Sequence, residues 1–283
     1  MFPRPIEKRA VPFQVSYRVL VVLALVLWML PLLAIAMTSI RSLEDITTGN
    51  YWGLPRDWSV IDNYLAIFTA SKIGRYLLNS LIVTIPAVAG SLALATMAGF
   101  ALAKYRFRGN FFIFAMFIAG NFIPYQILLI PVRDLAIGTN VYNTFWALIL
   151  FHTCFQTGFS IFFMRNFIAD LPDEIMESAR VDGVGEWKIF VYLIIPLLRP
   201  ALAALGVLIF TFVWNDYFWA LVLVQDDAYR PITAGLSSLR GQWIASWNLI
   251  AAGSIVAALP PVIMFFVMQK QFIAGLTMGT TKG

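Results

Sequence analysis

Apolar residues along this chain fall in separate blocks, each close to the roughly 20 helical residues that cross a hydrocarbon core about 30 Å thick. Six blocks stand out: Val19 to Met37, Tyr76 to Ala103, Phe111 to Pro131, Asn143 to Met164, Ala201 to Val224 and Asn248 to Met268. In lipid the backbone satisfies its polar groups only within helices or a closed barrel, and blocks this long lack the period-two alternation of barrel strands. The pattern predicts an all-α membrane protein with six transmembrane helices. An even number of spans puts both termini on one side.

Composition agrees. Of 283 residues, 60% are hydrophobic and 12% charged, against roughly a quarter charged in a soluble domain, which excludes a soluble globule. Lys and Arg resist translocation, so their distribution orients the bundle. Thirteen lie on the side of the termini, in the segments holding Arg4 to Arg18, Lys104 to Arg108, Arg165 to Arg199, and Lys270 and Lys282; seven lie opposite, including Arg41, Arg133 and Arg230. Both termini are therefore predicted in the cytoplasm. The net charge of +5 reports this topology, and no nucleic-acid partner follows from it. Ala34-Ile35-Ala36 resembles a signal-peptidase site, but the preceding apolar run exceeds the usual 7–15 residues and reads as a retained first span. The single Cys154 lies in the fourth span, so no intramolecular disulfide is available.

The connections divide by length. The outward segment Thr38 to Arg75, with Gly49-Asn50, Gly53 and Pro55, predicts turns and short interfacial helices. Lys104 to Asn110 and Val132 to Tyr142 are brief and require antiparallel hairpins. The large inward loop is 165–200, and 269–283 forms an inward tail. With no repeat or flexible linker, residues 1–283 read as one membrane domain.

The inward loop reads DLPDEIMESARVDGVGEWKIFVYLIIPLLRP from Asp170 to Pro200. Pro172 suits a first helical turn, Asp173 and Glu174 complement the positive end of the helix dipole, and Gly183 offers a left-handed terminator. A helix of about 10 residues follows, with Ile175, Met176 and Ala179 on one face. Too short to stand alone, it must pack on something. An amphipathic connector on lipid headgroups is one reading. Six acidic residues against four basic ones between Arg165 and Arg199 favour a protein partner over an anionic membrane surface.

Glu177-Ser178-Ala179, then Gly183, then Leu193-Ile194-Ile195-Pro196 resembles the EAA loop of binding-protein-dependent ABC importer permeases. Spacing is kept, with Ser178 in place of the family's first Ala and Leu193 and Ile195 as apolar equivalents; Asp182 and Pro200 resemble the sugar-importer branch. Trp214-Asn215-Asp216-Tyr217 and the tail QKQFIAGLTMGTTKG point the same way, so the chain resembles the G-type subunit of maltose-like carbohydrate importers. The resemblance implies the type I ABC importer permease fold, whose EAA helix is a cytoplasmic coupling helix docked in a groove of an ATPase subunit. On that reading Glu177, Ser178, Ala179, Asp182, Gly183, Leu193, Ile195 and Pro196 serve ATPase docking. It also implies two ATPase subunits, a second related permease, a solute-binding protein and a carbohydrate substrate. In the family the tail reaches between the ATPases, which here points to Gln271, Gly275, Leu276, Thr277 and Lys282, with a frayed terminus as the alternative. No G-x-x-x-x-G-K-[ST] phosphate cradle occurs in the chain, so ATP and Mg are expected on partner subunits and no cofactor or metal is expected here.

An Asp near mid-span costs about 2.5–3.5 kcal/mol on insertion scales, so Asp216 should face protein or a water-filled path. Trp214, Asn215, Asp216 and Tyr217 are candidates for the substrate route, with interhelical hydrogen bonding and packing as the competing account. His152, the only histidine, lacks companions for a metal site and reads as a satisfied interior histidine. Asn121, Pro124, Gln126 and Pro131, with Pro86 and Pro260-Pro261, mark expected kinks. A secondary transporter working without an ATPase is the alternative to ATP-driven alternating access. It would use paired broken helices or several intramembrane charges, and one Asp supports it thinly. A membrane enzyme finds no recognisable chemistry.

Overall fold

The computed structural model describes residues 10–51, 53–239 and 246–278, the side chains of Ser238 and 272–278 excepted. Every regular element among them is helical, and the one extended pairing is an isolated bridge between Arg41 and Trp58. The order is α1 (Val11–Ser39), α2 (Leu43–Thr47), α3 (Val60–Thr69), α4 (Ile73–Lys104), α5 (Asn110–Gly120), a 3-10 turn (Tyr125–Leu128), α6 (Leu129–Gly138), α7 (Phe145–Ala169) and α8 (Glu174–Val181). There follow α9 (Glu186–Lys188), a π-helical turn (Ile189–Ile194), α10 (Ile195–Leu197), α11 (Arg199–Trp214), α12 (Phe218–Leu223), α13 (Ile232–Leu236) and α14 (Trp247–Met278).

Among the described residues, four helices are individually long and apolar enough to cross a membrane, namely α1, α4, α7 and the Trp247–Gln271 part of α14. Two bent pairs bring the total to as many as six. The expected third span, Phe111 to Pro131, is not one rod. It closes at Gly120 and resumes at Tyr125 with a 90° bend. Pro124 has no N–H for the carbonyl four residues back, and Asn121 turns its side-chain amide onto Phe117 O at 2.7 Å.

The expected fifth span, Ala201 to Val224, is also interrupted, at Asn215–Tyr217. The loop expected on the inner side is shorter than 165–200, because α7 continues to Ala169 and helix resumes at Glu186. This second helical stretch bends by 73° into α11. There Pro196 and Pro200 both lack donors, and Leu198 N bridges Ile194 O and Ile195 O at 3.1 Å each. By contrast, helix runs through Pro86 in α4 and Pro260-Pro261 in α14. The tail expected from Gln269 is helical to Met278, which places Gly275, Leu276 and Thr277 in α14. Lys282 lies outside the described residues.

The chain separates into two compact units. One comprises Met1–Ser71 with Leu239–Val256. Its segment expected to face outward is organised by a buried cation: Arg41, 1% exposed, donates to Asn50 O and Gly53 O and pairs with Asp45 at 3.4 Å. Asn63 donates to Ser39 O at 2.9 Å and Arg41 O at 2.8 Å, and accepts from Asn248 at 2.7 Å. Read from sequence only as one outward charge, Arg41 is the post around which 38–63 is wound.

The second unit comprises Lys72–Ser238 with Ala257–Gly283, and its spine is the α4–α7 pair. Ser91, Ala95 and Gly99 form a small-residue stripe at four-residue spacing, all buried, which lets two backbones approach closely. A methyl on Gly99 would meet Arg165 N at 3.0 Å, and one on Gly90 would meet the Thr153 methyl at 2.9 Å. Ser91 Oγ donates to Thr153 O at 3.1 Å across the seam. Helices α5 and α11 pack on this spine, and α12 contacts α6 and α7.

Candidate functional site

Two places in the second unit gather the residues expected to carry function. The first is α8, eight residues long. Beyond its C-cap Asp182, Gly183 adopts φ +74°. Gly183 N bonds Arg180 O and Val184 N bonds Ala179 O, each at 3.0 Å. This is a Schellman ending, which favours glycine at the left-handed position.

The helix presents two contrasting faces. Met176 and Ala179 are buried, at 2% and 8% exposure, against the chain itself. Ala179 therefore serves the helix's seat on its own subunit, rather than close approach to an external partner. Outward it offers Glu174, Glu177, Ser178 and Val181, the last 88% exposed. Ser178 Oγ donates back to Glu174 O at 2.9 Å, so the hydroxyl that replaces the family alanine is satisfied within the helix. The Glu177 side chain has no hydrogen bond or ion pair among the described residues, leaving its carboxylate available.

Both ends of the α8 segment are fastened to the end of α4. At one end Lys104 Nζ donates to Leu171 O and to Asp173 Oδ1, each at 2.6 Å. The Lys104 bond and charge hold the Asp173 carboxyl below the usual range. At the other end Arg180 forms a two-point pair with Glu186, Nε to Oε1 at 2.6 Å and a second guanidinium nitrogen to Oε2 at 3.2 Å. The neighbouring Tyr105 hydroxyl donates to Glu186 as well. These two donors, Arg180 first, push the Glu186 carboxyl down, while burial and the bond to Glu186 push the Tyr105 phenol up. Leu193, Ile195 and Pro196 are partly buried in the π turn and α10. Sequence reasoning counted Lys104 only as an orienting charge and passed over Tyr105; adjacent Lys-Tyr at a span end was the available signal.

The second place is the break between α11 and α12. Asp216 accepts from the backbone of Trp219 at 3.3 Å and Ala220 at 3.0 Å, which caps the new helix as Asp does at helix starts. Its Oδ2 lies 3.5 Å from His152 Nε2, and its own carbonyl accepts from Thr233 Oγ1. Asn215 donates to Thr211 O at 2.9 Å. Trp214 is 1% exposed and donates to Ala257 O at 2.9 Å, which makes it a packing residue. Asn215, Asp216 and Tyr217 line a cavity of about 770 Å³, shared with one face of α7 (Phe151, His152, Phe155, Gln156, Phe159) and with Asn121 and Tyr125 from the other broken span. Both breaks thus open onto one hollow.

Comparison with known proteins decides what this architecture belongs to. Residues 91–277, which contain both sites, match the family model described as "Binding-protein-dependent transport system inner membrane component". The chain belongs to that family. It is accordingly a multi-pass membrane permease component of a transport system and not an enzyme. The "Arabinooligosaccharides transport system permease protein AraQ" of Halalkalibacterium halodurans is 34% identical over 255 residues, covering 89% of this chain and 91% of that one. The "Melibiose/raffinose/stachyose import permease protein MelC" of Bacillus subtilis is 29% identical, with 95% and 98% covered. Among solved structures, a chain of a bacterial ABC transporter involved in the import of the acidic polysaccharide alginate superposes with a TM-score of 0.82 at 23% identity, covering 96% of this chain and 99% of that chain. That likeness establishes the permease fold. Nothing in these matches favours a carrier working without an ATPase.

Proposed function

We propose that this permease is one half of the membrane pore of an ATP-driven importer of a sugar or sugar derivative, with both termini in the cytoplasm. Its partners are a second related permease, two ATPase subunits that bind ATP and Mg, and an extracytoplasmic solute-binding protein that delivers substrate. Two relatives named for oligosaccharide transport support the substrate class. The observation that carries the coupling is the double fastening of α8 to α4 through Lys104–Asp173 and through Tyr105–Glu186–Arg180. A helix held at both ends moves as a lever with the span to which it is fastened, while Glu177, Ser178 and Val181 remain free to meet an ATPase groove. Glu177 takes a charge-assisted hydrogen bond from a basic partner residue, Asp182 and Gly183 form the turn at the groove's rim, and the end of α14, with Gln271, approaches the same ATPases. ATP-driven closure of the ATPases pulls α8, and the membrane halves rock between inward and outward access; hydrolysis resets them. Cysteine crosslinks from positions 177, 178 and 181 to the ATPase subunits, in a complex active in uptake, test the reading. Capture is expected at all three, and none at position 176, whose side chain is buried. An active complex in which no position captures an ATPase would refute the coupling.

A further inference from the structure

The cavity between the two broken spans combines features that specify a ligand type more narrowly than the family does. Its walls are largely aromatic. On α7, Phe151 and Phe155 stack with ring centroids 5.5 Å apart and planes at 15°, and Tyr125 meets Phe155 edge-on at 5.9 Å. Such rings offer flat apolar faces, and tyrosine adds a polar tip. Among the described residues lining the hollow there is no Lys or Arg. The one carboxylate, Asp216, is committed to the α12 amides and lies beside His152. Two lining residues hold buried nitrogens without a partner among the described residues, His152 Nδ1 and Trp219 Nε1, and a third, Gln156, has its whole side-chain amide uncommitted. That amide sits on the α7 face that lines the cavity. An amide offers two donors and an acceptor at a neutral site. A volume of about 770 Å³ falls within the about 300–1,000 Å³ of ordinary ligand sites.

We infer that this subunit carries its own sugar subsite, in which Phe155 and Tyr125 stack on the C–H faces of a sugar ring and Gln156 bonds its hydroxyls, and that the subsite selects uncharged over acidic sugars. The inference rests on the importer reading and adds where, and with what charge, the substrate touches this chain. An acidic sugar entering this hollow meets no cation to replace its lost hydration and stands near Asp216, whereas a neutral hydroxylated ring has every contact it needs. One amide and a few aromatic faces make a weak site, which suits a path that must release what it binds.

Saturation-transfer NMR on the assembled complex in nanodiscs tests this with raffinose, maltotriose, arabinotriose and, as the acidic probe, trimannuronate. At least one neutral trisaccharide is expected to bind in the wild type and to bind about fivefold more weakly in Gln156→Leu, the size of one lost hydrogen bond. Phe155→Leu, which keeps bulk but loses the ring, should weaken it similarly, and Phe155→Tyr should restore it; a packing role alone would not separate Leu from Tyr this way. If Phe155→Leu fails to assemble, Gln156→Leu carries the test alone. Trimannuronate binding that depends on Gln156, or no neutral sugar whose binding responds to Gln156→Leu, overturns the inference. Failure of the importer reading is seen separately, as a wild-type chain that does not co-purify with ATPase subunits.

Discussion

The α8 loop and the α11–α12 break both interrupt apolar helix with acidic residues, yet they handle charge in opposite ways. Around α8, carboxylates are met by side chains: Lys104 holds Asp173, and Arg180 holds Glu186, both carboxylates lying at exposed positions although the Lys104 side chain is itself only 4% exposed. At the break, Asp216 is met chiefly by backbone amides of the helix it starts. The difference follows from solvent. Where water reaches, ion pairs are inexpensive and orient a surface, so one carboxylate, Glu177, can be left free for a partner. Within the membrane a carboxylate is costly unless it replaces bonds the backbone has lost, so Asp216 is placed where a broken helix leaves N–H groups without carbonyls.

Substitutions sharpen this contrast. The largest effect is expected from Gly183→Val. Open space surrounds Gly183, so its cost is the left-handed backbone, about 1–2 kcal/mol for a residue with a side chain. Transport-stimulated ATP hydrolysis should fall about tenfold while membrane insertion persists; unchanged stimulation would mean that the α8 ending does not matter for coupling. Next, Lys104→Met combined with Tyr105→Phe removes both fastenings without touching α8. Uptake per ATP hydrolysed should drop about fivefold, the loss of roughly 1 kcal/mol of orienting contacts; a ratio equal to wild type would show that α8 does not act through α4.

At the break, Asp216→Ala should destabilise the detergent-purified chain by about 1 kcal/mol, the usual cost of a lost cap, and Asp216→Asn by much less, since Asn caps as well as Asp. Equal losses in thermal melting would point to charge rather than capping. The smallest effect concerns pH. Glu186 is held below its ordinary value of 4.5 by Arg180 and Tyr105, and Asp173 below 3.8 by Lys104. Groups with depressed values stabilise the folded loop above their unfolded values and lose that contribution as pH falls through the folded ones. Hydrogen exchange of α8 amides should therefore be unaffected by this pair from pH 8 to about 5 and quicken only below about 4.5. Quickening near neutrality would assign the loop's order to some other group.

Much of this was legible along the chain because it is local. Span placement follows from length and hydropathy. The α8 helix and its stop follow from Asp173, Glu174 and Gly183, since dipole complementarity and a left-handed terminator act within a few residues. Spacing from Glu177 to Pro196 was enough to recognise the family. The breaks were half legible: Asn121 and Pro124 announced one, whereas Asn215-Asp216 were read as polar residues within a continuous span because their capping role appears only once the helix has ended.

What tertiary structure alone decided is which partner each polar group takes. Nothing near Lys104 in sequence names Leu171 and Asp173, and nothing near Arg41 names Gly53 as well as Asn50. Ala179 turning inward, Trp214 committed to Ala257, and Gln156 left uncommitted beside two stacked rings are likewise outcomes of packing. The physical reason is that burial in lipid fixes secondary structure residue by residue. Hydrogen-bond partners between helices depend instead on which faces meet, and here that was set by the small-residue seam of Ser91, Ala95 and Gly99 that lets α4 and α7 close together.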